Sequence, residues 1–174
     1  MVDKVGQRYA QAIYEIAQDQ KRVVEIYQLL QELNGLYYEN RDFKEYLSHP
    51  LVKLDDKLSL IEKIMTEQEE IDKNISLYLV SKGRLGDIKD ILEEYKKLYY
   101  IEKNIIDVKG IFASDLSAEQ KDALIKKLEN STKKNVNLEV EIDKSLIGGG
   151  ILKIGDKVID GSIKSQLASM SKEQ

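Results

Sequence analysis

The sequence predicts a mainly α protein, with an N-terminal six-helix bundle followed by a small α+β C-terminal module. Three observations carry this expectation. Apolar residues recur at helical spacing from Val5 to about Asn104, and the only proline in that stretch is Pro50. The period then changes to two at Val136, Leu138, Val140 and Ile142, which alternate with Asn137, Glu139 and Glu141.

Val5, Tyr9, Ala12, Ile13 and Ile16 make the first helical stripe, and Val23, Ile26, Tyr27, Leu30 and Leu33 the second. A short third helix around Phe43, Tyr46 and Leu47 stops at Ser48-His49-Pro50, because proline restricts the residue before it and cannot continue a helix interior. Leu54, Leu58, Ile61 and Met65 form a fourth face and Ile71, Ile75, Tyr78 and Leu79 a fifth. Leu85, Ile88, Leu92, Tyr95 and Tyr99 form a sixth, with Gly83 punctuating the last two. Short amphipathic helices with brief loops bury their stripes against one another as a bundle.

Beyond Asn104, Ile106, Val108 and Phe112 suggest a weaker strand than the alternating run that ends at Ile142. Between the two, Ser117 and Gln120 have capping-box spacing for a helix through Leu124 and Leu128. Ile151 to Ile154 and Val158-Ile159 flank Gly155-Asp156, the pairing of a tight hairpin. Ile163, Leu167 and Met170 then predict one last amphipathic helix. The expected division is residues 1–104 for the bundle and 105–174 for the α+β module, joined without a Gly/Ser linker.

Composition narrows the function. A formal net charge of -4 gives no broad cationic field, so nucleic acid is not an expected partner. With no cysteine the fold is held by packing alone, which suits a reducing compartment. The start Met1-Val2-Asp3-Lys4 has neither an apolar signal core nor a transit stretch, and no apolar run approaches the ~20 residues that cross a bilayer. The expectation is a soluble chain, without direct membrane insertion, that meets a membrane only through a partner.

Gly148-Gly149-Gly150 invites a phosphate-loop reading. The run from Gly150 has Asp156 where that motif places lysine and Lys157 where it places a hydroxyl, and it leads into a strand, so a glycine-hinged entry to a hairpin is favoured. His49 is the only histidine, which leaves no His pair for a transition metal and no Ser-His-acid triad. The acidic groups at Asp55-Asp56 and at Glu67, Glu69 and Glu70 lie among lysines and read as solvated faces. The residues therefore predict a binding protein with no cofactor, metal or small-molecule ligand.

Four stretches resemble the delta/OSCP family of F-type ATP synthases. The run Arg8-Tyr9-Ala10-Gln11-Ala12-Ile13-Tyr14-Glu15-Ile16-Ala17 is similar to the family's opening helix. Phe43 through Pro50 with the following Lys57 resembles its F-x-x-x-L-x-x-P and lysine-bearing helix, and Leu79 through Leu85 its L-x-x-x-G-R-L. The tail, Asp143 through Gly150 and Lys153 through Ser162, resembles the family signature most closely.

The resemblance implies a non-catalytic stator subunit, peripheral at a membrane, and the lack of a transit stretch at the start favours a bacterium, hence the cytoplasmic face of the cell membrane. Its bundle docks on N-terminal helices of alpha subunits through a groove between the first and fifth helices, and its C-terminal module receives the stalk b subunits. Carried onto this sequence, the groove would draw on Val5, Tyr9, Ala12, Ile13 and Ile16, with Ile75 and Leu79 opposite, although each is equally an ordinary core position. The signature residues Gly148, Gly149, Gly150, Gly155, Asp156, Asp160, Gly161 and Ser162 are expected to be architectural. The rival expectations are a helical adaptor of another complex and a nucleotide-dependent enzyme built on the glycine run.

Overall fold

The computed structural model describes residues 4–163 and Ser165. The chain divides into two compact units, one ending at Tyr99 and the other beginning at Tyr100, so the division falls in the last turn of the sixth helix. The predicted final helix keeps only Ile163 within the description; Leu167 and Met170 lie outside the described residues.

The first unit is built from α1 (Lys4–Asp19), α2 (Val23–Glu39), α3 (Arg41–Ser48), α4 (Leu54–Ile64), α5 (Glu70–Ser81) and α6 (Ile88–Glu102), with a 3-10 turn at Leu85–Asp87. Local chemistry sets the ends. Asn40 caps α3 by accepting from the Phe43 amide at 3.0 Å. At the end of α5, Gly83 sits at φ +63, where its amide reaches the Val80 carbonyl and the Arg84 amide that of Leu79 at 2.8 Å. That is a Schellman closure, and it needs a residue that tolerates the left-handed region.

The core collects Ile13 and Tyr14 from α1, Ile26, Leu30 and Leu33 from α2, Ile61 from α4, Leu79 from α5 and Ile88, Ile91 and Tyr95 from α6. Tyr95 is fully buried, edge-on to Tyr14 with centroids 5.2 Å apart, and its hydroxyl donates to the Val23 carbonyl at 3.0 Å, so its polar tip is satisfied. Arg22, in the α1–α2 link, donates through both terminal nitrogens to Asp72 of α5, at 3.2 and 3.1 Å, and also meets Glu69 at 2.8 Å. Asp72 is buried, so this fork supplies the partner that a carboxylate removed from water requires.

The second unit holds a four-stranded sheet in the order β2-β1-β3-β4. Strand β1 (Ile105–Phe112) crosses through α7 (Ala118–Thr132) to the parallel β2 (Asn135–Ile142). It then pairs antiparallel with β3 (Gly150–Ile154), which turns back into β4 (Lys157–Asp160). The predicted capping box is present: Ser117 Oγ accepts from the Gln120 amide at 3.2 Å while the Gln120 side chain accepts from the Ser117 amide at 2.9 Å. The core here is thin, with Val108 and Leu128 its buried apolar side chains among the described residues.

Candidate functional site

An amphipathic helix with one apolar stripe turns it inward; α1 has two. Its buried face is Ala10, Ile13, Tyr14 and Ala17, rich in small residues that let the neighbouring helices approach. The predicted stripe runs along the next face, where Tyr9 is half-buried, Ala12 is exposed and Ile16 is 44 % exposed. The structure therefore keeps Tyr9, Ala12, Ile13 and Ile16 together, but mostly at the surface.

Across from them α5 brings Ile71, Asn74, Ile75 and Tyr78, and the two helices enclose an apolar trough of ≈ 310 Å³. Ile13 and Ile75, both nearly buried, form its floor, while Ile16 and the 51 % exposed Tyr78 stand at its edges. Tyr9 and Tyr78 approach within 6.0 Å between ring centroids, which places the N-terminal half of α1 beside the C-terminal half of α5. Lys82 Nζ lies over the Tyr78 ring, 5.6 Å from its centroid, and Arg84 meets Asp87 at 3.2 Å.

Two expected residues, Leu79 and Val5, do not line the trough. Leu79 is fully buried in the bundle core rather than lining the trough. Successive helical residues point about 100° apart, so the side chain that follows groove-facing Tyr78 points inward. Val5 is half-buried one turn before Tyr9. Sequence reading missed Ile71, Asn74 and Tyr78 as groove residues; Ile71 and Tyr78 were assigned only to the stripe of the fifth helix, and Asn74 carries no apolar signal.

A second cavity in the same unit, ≈ 490 Å³, is larger but of mixed polarity, lined among others by Tyr37, Ser48, Lys57 and Ser81. Lys57, from the lysine-bearing helix, thus faces the Leu47-Ser48 end of α3. The trough is the better candidate despite its smaller volume, because exposed aliphatic side chains with no cover are what distinguish a binding face from ordinary surface.

The glycine signature in the second unit closes on itself. The Gly161 amide donates to the Gly150 carbonyl at 2.9 Å and the Ile163 amide to that of Gly148 at 3.0 Å. Gly149 has φ +76, and a Cβ there would collide with the Gly161 carbonyl oxygen. Gly155 and Asp156 form the two-residue turn between β3 and β4, with Gly155 at φ +56. Asp160 accepts from the Ser162 amide at 2.9 Å, and Ser162, almost fully buried, accepts from the Ser165 amide at 3.2 Å. The Ser162 hydrogen bonds hold the Asp160 carboxyl below its ordinary pKa. The glycine run presents its Gly148 and Gly150 carbonyls to the chain's own amides and enters a strand rather than a helix, so the geometry is not that of a phosphate cradle.

Among the described residues no group of His, Asp and Glu could hold a metal ion, and no helix is long and apolar enough to cross a membrane.

The ATP synthase delta (OSCP) subunit family matches residues 5–173. The chain is 48% identical over 169 residues to the sodium-ion-specific ATP synthase subunit delta of Propionigenium modestum, covering 97% of each. It is 45% identical over 169 residues to the ATP synthase subunit delta of Fusobacterium nucleatum, again covering 97% of each. A chain of the Toxoplasma gondii mitochondrial ATP synthase hexamer superposes with a TM-score of 0.65 over 98% of this chain and 97% of that one, at 20% identity, a likeness of fold. With a family match across almost its entire length and close relatives equally complete, the chain belongs to the ATP synthase delta (OSCP) subunit family.

Proposed function

We propose that the α1–α5 trough grips an N-terminal helix of an alpha subunit on the catalytic head, while the second unit receives the ends of the peripheral-stalk b subunits. As a family member the chain is a structural, non-catalytic subunit of ATP synthase. In this reading it works at the cytoplasmic face of the cell membrane and resists the torque that would turn the head with the rotor.

The observation that carries the proposal is the uncovered apolar trough, with Ile16 and Tyr78 about half exposed at its edges. A helix laid there covers both edges and the Ile13–Ile75 floor. Holding at nanomolar strength takes about 12 kcal/mol, and each buried aliphatic anchor contributes roughly 1.5 to 3 before ordering costs. Simultaneous attachment at the second unit raises the effective concentration for rebinding.

Reconstitution tests this. ATP synthase stripped of this subunit should regain ion-coupled ATP synthesis when the native chain is added back, and should not regain it with a folded Ile16→Asp variant. Full recovery with that variant would remove the trough from the function. Saturable ATP binding by the isolated chain would instead favour a nucleotide-dependent role.

A further inference from the structure

The rims of the trough carry charge in a fixed order. On α1, Arg8, Ala12, Ile16 and Asp19 follow at spacings of four, four and three, one strip along the helix with a cation at its start and an anion at its end. On α5, Glu70, Asn74, Tyr78 and Lys82 follow at spacings of four, with the anion first and the cation at the C-cap. Arg8, Asp19, Glu70 and Lys82 are all exposed.

Tyr9 faces Tyr78, and Arg22 just past the end of α1 binds Asp72 in the first turn of α5, so the helices run in opposite directions across the trough and their opposite charge orders coincide in space. Arg8 and Lys82 stand at one end, where Arg84 is paired with Asp87 at 3.2 Å and Asp90 packs against Gly6, and Asp19 and Glu70 stand at the other. Glu15, bonded to Gln11 at 2.9 Å, adds negative charge on the Asp19 half, and Glu69 extends it beyond Glu70. Arg22 and Lys73 offset part of this charge, since Arg22 is engaged by Asp72 and Glu69 and Lys73 Nζ donates to the Thr66 carbonyl.

We infer that the trough is directional and seats its helix with the N-terminus at the Asp19–Glu70 end and the C-terminus at the Arg8–Lys82 end. An α-helix is positive at its N-terminus and negative at its C-terminus, and a free amino terminus adds to the first pole. The bound helix then runs parallel to α5 and antiparallel to α1. This inference rests on the trough being the helix site proposed above.

The chain lacks cysteine, so single spin labels can be placed at Gln20→Cys, beside the acidic end, and at Ser81→Cys, beside the basic end. The probe is an isotope-labelled peptide of the alpha subunit's N-terminal helix with a free amino group, added to the full-length chain. The label at position 20 should broaden the peptide's N-terminal residues and the label at 81 its C-terminal residues. Reversing Asp19 and Glu70 together to lysine should weaken binding about 10-fold at low ionic strength, an effect that fades in high salt. Saturable binding with the broadening reversed, or equal at both ends, would overturn the direction alone. Absence of binding by the native chain would overturn the trough as the helix site, and the direction with it.

Discussion

Tyr9 of α1 and Tyr78 of α5 meet at 6.0 Å between ring centroids, tilted 41° to one another, and so tie the two trough helices together at the basic end. Neither ring lies in the core: Tyr9 is half-buried and Tyr78 51 % exposed. Tyr9 packs partly against the core, while Tyr78, with Lys82 over its ring, leaves apolar area uncovered at the surface.

Surface placement separates binding from folding. Ile16→Asp puts a carboxylate where the side chain is already 44 % exposed, so the cost in stability is expected to be under about 1 kcal/mol. A charge buried beneath a docked helix should weaken that helix's affinity by at least about 10-fold. Thermal unfolding and peptide titration of the same variant check both halves.

Leu79→Ala should do the opposite. Leu79 is fully buried, and truncating such a leucine is expected to cost about 2–5 kcal/mol through lost burial and the cavity left behind. Urea unfolding followed by circular dichroism gives the number, and a loss below 1 kcal/mol would show that the site collapses without penalty.

Arg22→Ala leaves Asp72 buried without its bidentate partner, with the Ser76 hydroxyl bonded to its backbone carbonyl rather than to the carboxylate. The expected loss is about 3 kcal/mol, and the double variant with Asp72→Asn should recover part of it because the uncompensated charge is gone. Equal stability of the single and double variants would mean that water reaches the carboxylate.

The closure of the second unit has a pH signature. Asp160 has a folded pKa held down by its hydrogen bonds to Ser162, so its contribution is complete above the ordinary aspartate range and is lost as pH falls through the lowered value. The native chain should therefore melt above Asp160→Asn at neutral pH, and the gap should close under acid conditions. Scanning calorimetry across that range reads it directly. Gly149→Ala, with φ +76 and a carbonyl in the way, should destabilise this unit at every pH.

What the sequence made legible follows from how locally each feature is encoded. The β2 alternation is plain because that edge strand has a half-buried face of Val136, Leu138 and Val140 and a wet one, whereas β1 reads weakly because its central place buries Gly110 beside Val108 and breaks the pattern. The Ser117 box, the Gly155-Asp156 turn and the stop at Pro50 are short-range and were all predictable. The trough was only half legible: an apolar stripe at Tyr9, Ala12 and Ile16 carries the same signal whether it faces a core or a partner. Neighbours such as Tyr78 and Leu79 can be separated only by the packing of the whole bundle. The Arg22–Asp72 fork joins residues 50 positions apart and leaves no periodic trace.

The most direct test of the trough is a calorimetric titration of the native chain with a peptide of the alpha subunit's N-terminal helix, repeated with Ile16→Asp. Saturable one-to-one binding to the native chain, with the negative heat-capacity change of apolar burial and at least about 10-fold weaker affinity in the variant, is the expected result. Equal affinities in the two, or no heat of binding to the native chain, would contradict it.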